Sequence, residues 1–236
     1  MRSFKSDILN QAILSKDMKI IELIDVDYRL LPIFQRLDIQ LPYGDISIEE
    51  MCRRCNMSVE LFLMICRTYI EADYLPNVDA LKVSDLPHLL QYLRASHRYY
   101  IDSLMPKIAD GFERVLQLCE ESQRAILRQF YHGYEEEVKS HLQYEEQEMF
   151  PYVESVISGK GEAVATMCDF VDNHTDVCDK IDDIKSIVIK YLPEACSTRQ
   201  RCDLLFDIFA LREELLKHTM LEMRILAPVV INAESK

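Results

Sequence analysis

Glycine and proline are scarce in this chain: five and eight residues among 236. That scarcity argues against disorder and against a turn-rich β fold, both of which draw heavily on these residues. Positive charge is in deficit as well, with 27 Lys and Arg against 40 Asp and Glu and a net charge of −13. A protein that wraps nucleic acid needs a basic face to meet phosphates, so that class is disfavoured. No apolar run approaches the roughly 20 residues of a membrane span. The opening residues MRSFKSDILN show neither the apolar stretch nor the cleavage site of a secretory signal. Eight cysteines without such a signal are expected to be reduced thiols of a cytoplasmic protein. What the chain does have is 49% hydrophobic residues, enough for a sizeable core.

Those residues are arranged with helical period. A helix is expected to begin after Asp17 and to kink or end at Pro32. Ser47-Ile-Glu-Glu50 is a capping-box signature, and Ser58 can cap a further helix, VELFLMICRTYIEADYL. Short helices joined by tight turns predict a small helical domain over residues 1–80, with a helix-turn-helix look. From residue 84 the pattern changes to long helices, and Pro87 sits where a first turn tolerates it. One helix carries Leu90, Leu93, His97, Ile101, Leu104 and Ile108. A second, from near Glu121 to near Gly159, carries Phe130, Tyr134, Val138, His141, Tyr144, Glu145 and Met149. A third spans about Glu162 to Tyr191, and a fourth starts near Thr198. Long amphipathic helices joined by short loops predict an all-α protein whose residues 84–236 form an antiparallel up-and-down four-helix bundle.

Two stretches share one pattern, H-x3-E-x5-P. The first is His141 to Pro151, with Glu145; the second is His218 to Pro228, with Glu222. His97 followed by Pro106 is a partial echo. Residues i and i+4 share one helix face, so each motif sets an imidazole beside a carboxylate. His97, His141, His174 and His218 fall one per helix inside the apolar stripes. Counted from the shared loops, their heights agree to within about 3 residues, or ~5 Å at the helical rise. They therefore lie in one layer, with Glu145 and Glu222 about one turn away. Buried imidazoles and carboxylates need compensation. A metal centre supplies it, and an all-protein hydrogen-bond network is the alternative. Nitrogen and carboxylate ligands suit iron, and also manganese or zinc. Four His and two Glu divide into two His per ion, each Glu bridging both through its two oxygens.

This pattern resembles the hemerythrin-like fold. Where oxygen-carrying hemerythrins have a second histidine on the third helix, Cys178 stands here. One histidine on the first and third helices, with H-x3-E on the second and fourth, is similar to the repair-of-iron-centres family. The resemblance covers about residues 84–236. It implies two iron ions with an oxo or hydroxo bridge, held by His97, His141, Glu145, His174, His218 and Glu222. It also implies a cytoplasmic protein that restores iron–sulfur clusters damaged by nitric oxide or peroxide. The expected partners are a small diatomic ligand and iron–sulfur client proteins, with neither membrane nor nucleic acid, and a homodimer is left open. Activity as an enzyme is not implied. The family's small N-terminal domain carries paired cysteines in a glycine-containing turn; here the turn remains as Pro42-Tyr43-Gly44-Asp45 and the cysteine pair does not. A sensor of oxygen or nitric oxide that signals through its N-terminal helices is the other reading, although VELFLMICRTYIEADYL offers only Arg67 among its acids as a recognition helix would need.

Around the expected ligands, Glu137 lies one turn before His141, as a channel-lining group or as a solvated helix edge. Tyr134 and Tyr144 are candidates to donate toward the site or are plain core packing, and Cys178 is a neighbour of the metal or a small core residue. Cys52-Arg-Arg-Cys55 is read as two ordinary helix cysteines rather than a zinc or redox motif. His88 and His132 are half a turn out of phase with the ligand histidines and are read as non-ligands.

Overall fold

The computed structural model describes residues 14–40, 44–159, 166–172 and 177–235. Among the described residues every regular element is helical, and the one strand-like pairing is a single bridge between Lys19 and Ser47. The all-α expectation is met. Of the described residues, one unit takes those within Met1–Ala95, Val156–Gly159 and Met220–Lys236. A second takes those within Ser96–Ser155 and Lys160–Thr219.

The first unit opens with α1 (Ile20–Val26) and α2 (Leu31–Arg36), joined by a 3-10 turn over Tyr28–Leu30. The helix expected to run as far as Pro32 breaks earlier, at Asp27. That residue is extended, and its carboxylate accepts the Arg29 N–H at 2.9 Å. Pro32 then sits in the first turn of α2, where no N–H is needed. α3 (Ile48–Arg54) and α4 (Val59–Ile70) start where their caps predict. The hydroxyls of Ser47 and Ser58 accept the N–H groups of Glu50 and Leu61, each at 3.2 Å. Phe34 and Phe62 meet edge to face at 5.8 Å, and Arg36, only 5% exposed, reaches the hydroxyls of Tyr69 and Tyr92 at 2.8 Å each. Burial pushes the Cys52 thiol up to about 12. The arginines of its CxxC motif do not offset this, because both engage Glu50. Cys52 is therefore an inert core residue.

Long helices follow. α5 (Leu86–Tyr99) passes through a π turn, Tyr100–Leu104, into α6 (Met105–Leu116). α7 (Glu121–Tyr144) passes through Glu145–Met149 into α8 (Phe150–Ile157). The third segment is described as α9 (Met167–Asp172) and α10 (Cys178–Lys190). α11 (Thr198–Leu221) passes through a third π turn, Glu222–Leu226, into α12 (Ala227–Glu234). All three π turns have one cause. Each is followed by a residue and then a proline: Pro106, Pro151 and Pro228. A proline inside an α-helix cannot donate to the carbonyl four back, and its ring collides with it. Here the residue before each proline donates to the carbonyl five back, from Met105 to Tyr100, Phe150 to Glu145 and Ala227 to Glu222. The turn widens and the helix continues.

Within the second unit the helices run antiparallel, because partners fall in number on one helix as they rise on the other. His97 meets Glu146, and Glu113 meets Arg128; Tyr100 meets Glu214, and Lys107 meets Asp207. The α7–α10 contact is Glu137 with Lys180, and α10 meets α11 at Asp182 with Arg212. Hydrogen bonds from Arg212 and Lys185 hold the Asp182 carboxyl at about 2. Arginines in the first turns of α7 and α11 close the helices before them. Arg124 donates to the carbonyls of Leu116 and Cys119, and Arg201 to those of Leu192 and Pro193. The core between the helices is built from Ile108, Phe112, Tyr131, Val138, Ile184, Ile208 and Leu211, among others.

Two parts of the sequence reading change on α7. Phe130 and Tyr144, placed in its core stripe, are 37% and 45% exposed, while Tyr131 and Leu142 are buried. Gly133 faces outward with nothing within 4 Å of where a Cβ would stand. A mid-helix glycine costs about 1 kcal/mol relative to alanine. Gly133→Ala is therefore expected to stabilise the protein by about that amount, seen as a higher urea midpoint with an unchanged slope.

Candidate metal centre

α5, α7 and α11 bring side chains of the two motifs to one level in the second unit. His97 comes from the last turn of α5, His141 and Glu145 from the α7 end and its π turn, and His218 from the last turn of α11. All three histidines turn Nε2 toward the Glu145 carboxylate. His141 Nε2 lies 2.8 Å from Oε1, while His97 and His218 Nε2 lie 3.0 and 3.5 Å from Oε2. The two Nε2 atoms of His97 and His218 are 3.1 Å apart. His97, Glu145 and His218 are 4%, 1% and 2% exposed, so these three side chains are buried.

Burial alone would push the Glu145 carboxyl up. The contacts with His141, His218 and His97 outweigh it and hold the group well below the usual carboxylate range. Packing fixes the rings. Phe150 stacks on His97 with centroids 5.3 Å apart and planes 16° from parallel, and the Tyr100 ring stands edge-on to His218 at 5.8 Å. The Tyr100 hydroxyl is spent on the Glu214 carbonyl, 3.1 Å away.

This donor set suits a metal. Imidazole nitrogens and carboxylate oxygens are lone-pair donors, and one ligand atom from each of His97, Glu145 and His218 lies within 4.8 Å of the other two. Lone pairs converging at that range in a dry site repel unless a proton or a cation lies among them. A nitrogen-rich set with a carboxylate fits iron, manganese or zinc. The carboxylate also separates the imidazoles, with His97 and His218 at one oxygen and His141 at the other.

The remaining expected residues fall in different places. His174 lies outside the described residues, as do the Cys178 side chain and the Pro42-Tyr43 part of the N-terminal turn. Glu222 is 1% exposed and opens the third π turn, one turn after His218 on the same continuous helix. Glu137 forms an ion pair with Lys180. Tyr134 is buried in the helical core, whereas Tyr144 is exposed with its ring tilted against Phe170. His132 is exposed beside Glu135. Sequence reasoning missed Glu146, whose carboxylate lies 2.8 Å from His97 Nδ1, and missed Phe150 and Tyr100 as supports of the rings. The signal for Glu146 was the Glu145-Glu146 doublet; the signal for two of the π turns was the six-residue step from Glu145 to Pro151 and from Glu222 to Pro228.

The family model of the Hemerythrin HHE cation binding domain matches residues 88–230. A search of curated proteins finds no match.

Proposed function

The chain belongs to the hemerythrin HHE cation-binding family, and on that premise we propose that it is a di-iron protein that repairs iron–sulfur clusters damaged by nitrosative or oxidative stress. The observation that carries the reading is the division of one buried carboxylate between imidazoles at both of its oxygens. His97, His141, Glu145 and His218 would hold the ions, together with His174 and Glu222 of the implied ligand set. Two such ions with an oxo or hydroxo bridge would supply Lewis acidity, a redox couple and binding of a diatomic ligand such as nitric oxide or oxygen. The chain's part is to hold ions that can be given up: neutral imidazoles and two carboxylates bind iron less permanently than a thiolate cage would.

The sensor reading gains little from the N-terminal helices. Arg67 on α4 donates to the Leu14 carbonyl at 3.0 Å and lies over the Tyr74 ring, an inward role rather than that of a base-reading side chain.

The test is elemental analysis of anaerobically purified protein, with optical spectra before and after nitric oxide, followed by incubation with a nitrosylated iron–sulfur protein. Two irons per chain, a spectrum that responds to nitric oxide and recovery of the client's cluster are expected. Protein that is folded but binds one ion, or none, overturns the di-iron assignment. Two irons without cluster recovery overturn the repair role.

A further inference from the structure

We propose that Glu146 is a positioning residue for the metal centre. It accepts the Nδ1–H of His97 and so commits the ring to present the Nε2 lone pair to the metal. The proposal rests on the metal-binding reading of the site and deepens it by naming what sets the chemistry of one ligand.

Two consecutive carboxylates clasp one imidazole. Glu145 reaches Nε2 at 3.0 Å and Glu146 reaches Nδ1 at 2.8 Å. Neighbouring residues on a helix point about 100° apart, and the two nitrogens of an imidazole also face away from each other. A ring lying across the helix can therefore meet both. The two acids sit in contrasting surroundings. The Glu145 side chain is 2% exposed among three imidazoles, whereas that of Glu146 is 35% exposed. Glu146 shares an open cleft with His97, Ile101, Lys139, Gln143 and Gln147. A carboxylate oxygen set 2.8 Å from a ring nitrogen is placed to accept its N–H. The proton of His97 is thereby assigned to Nδ1, and Nε2 is left as the donor atom directed at Glu145 and His218. A carboxylate behind a ligand imidazole fixes its tautomer and raises its basicity toward metal. Phe150 fixes the plane of the ring but not its protonation, so the two supports are complementary.

Glu146→Leu removes the acceptor, Glu146→Gln keeps an acceptor oxygen without the charge, and Glu148→Gln, an exposed acid on the same turn, is the control. Each full-length protein is loaded with Zn(II) as a diamagnetic probe, and its affinity for Zn(II) and Fe(II) is measured. The His97 Nδ1–H is followed by NMR on protein with labelled histidine. A slowly exchanging Nδ1–H signal is expected in the wild type, the Gln variant and the control, and not in the Leu variant. Affinity is expected to fall about 10- to 100-fold in the Leu variant, less in the Gln variant and not in the control. The urea midpoint of the metal-free proteins should stay level throughout, as a merely structural surface bridge would not allow affinity and stability to separate in this way. An unchanged Nδ1–H signal and affinity in the Leu variant overturn the positioning role while leaving the metal site standing. Wild-type protein that binds neither ion overturns both.

Discussion

Glu145→Gln is expected to lower metal affinity by more than about 100-fold, beyond what loss of an outer partner costs, while leaving a folded protein. Glutamine keeps the volume of the side chain in a site that is 1% exposed, so no cavity opens. What disappears is the charge on which His97, His141 and His218 converge. A neutral amide cannot offer a lone-pair donor at both ends, since one end is an NH₂ group. The check is thermal unfolding with and without Fe(II) under anaerobic conditions. The wild type gains stability as RT ln(1 + [L]/Kd), about 2.7 kcal/mol at a hundredfold excess over Kd. The variant is expected to show almost no metal-dependent rise in Tm. A variant that keeps its full rise would show that the ions sit elsewhere.

Phe150→Ala is the second large effect. Phe150 is fully buried at the start of α8 and its ring covers one face of His97. Truncating a buried phenylalanine costs about 3–5 kcal/mol through lost transfer energy and a residual cavity, and chemical denaturation should show a loss of that size. The same change frees the His97 ring to rotate, so metal affinity should fall as well. Phe150→Leu retains most of the volume and should recover much of the stability, but not the stacking that holds the imidazole plane. If affinity and stability both recover fully with leucine, the stack contributes nothing specific to the ligand.

Much of this architecture is legible in the residues. The serine caps at 47 and 58, the proline at 87 and the apolar positions Leu90, Leu93, Leu104 and Ile108 lie where helical period and capping chemistry put them. The convergence of His97, His141 and His218 follows from counting outward from the shared loops, because rise per residue is constant in a helix. The failures have physical causes too. On α7 the bulky Phe130 and Tyr144 drew the stripe away from Tyr131 and Leu142; size does not say which face a side chain takes. At Asp27 a short polar side chain competed with the helix for a backbone N–H and won, while Pro32, where the break was expected, is harmless in a first turn. The role of Glu146 was hidden because one acid in a run of acids looks like solvated surface until a partner is seen across the helix pair.

The widened turns bear on how the length of this chain can change. One extra residue in a helix turns everything beyond it by about 100°, and at Glu145–Met149 that extra residue is tied to the proline that follows. Losing either alone is harmful. Without the residue, Pro151 meets a carbonyl it cannot satisfy, and Phe150 and Val153 swing away from the places where they are now buried. Without the proline, the wide turn loses the reason it is preferred over a regular one. For this helix, then, a one-residue deletion and a substitution of Pro151 are two halves of a single step. A comparison that scores them as separate differences would overstate the distance between this chain and a relative that made the step.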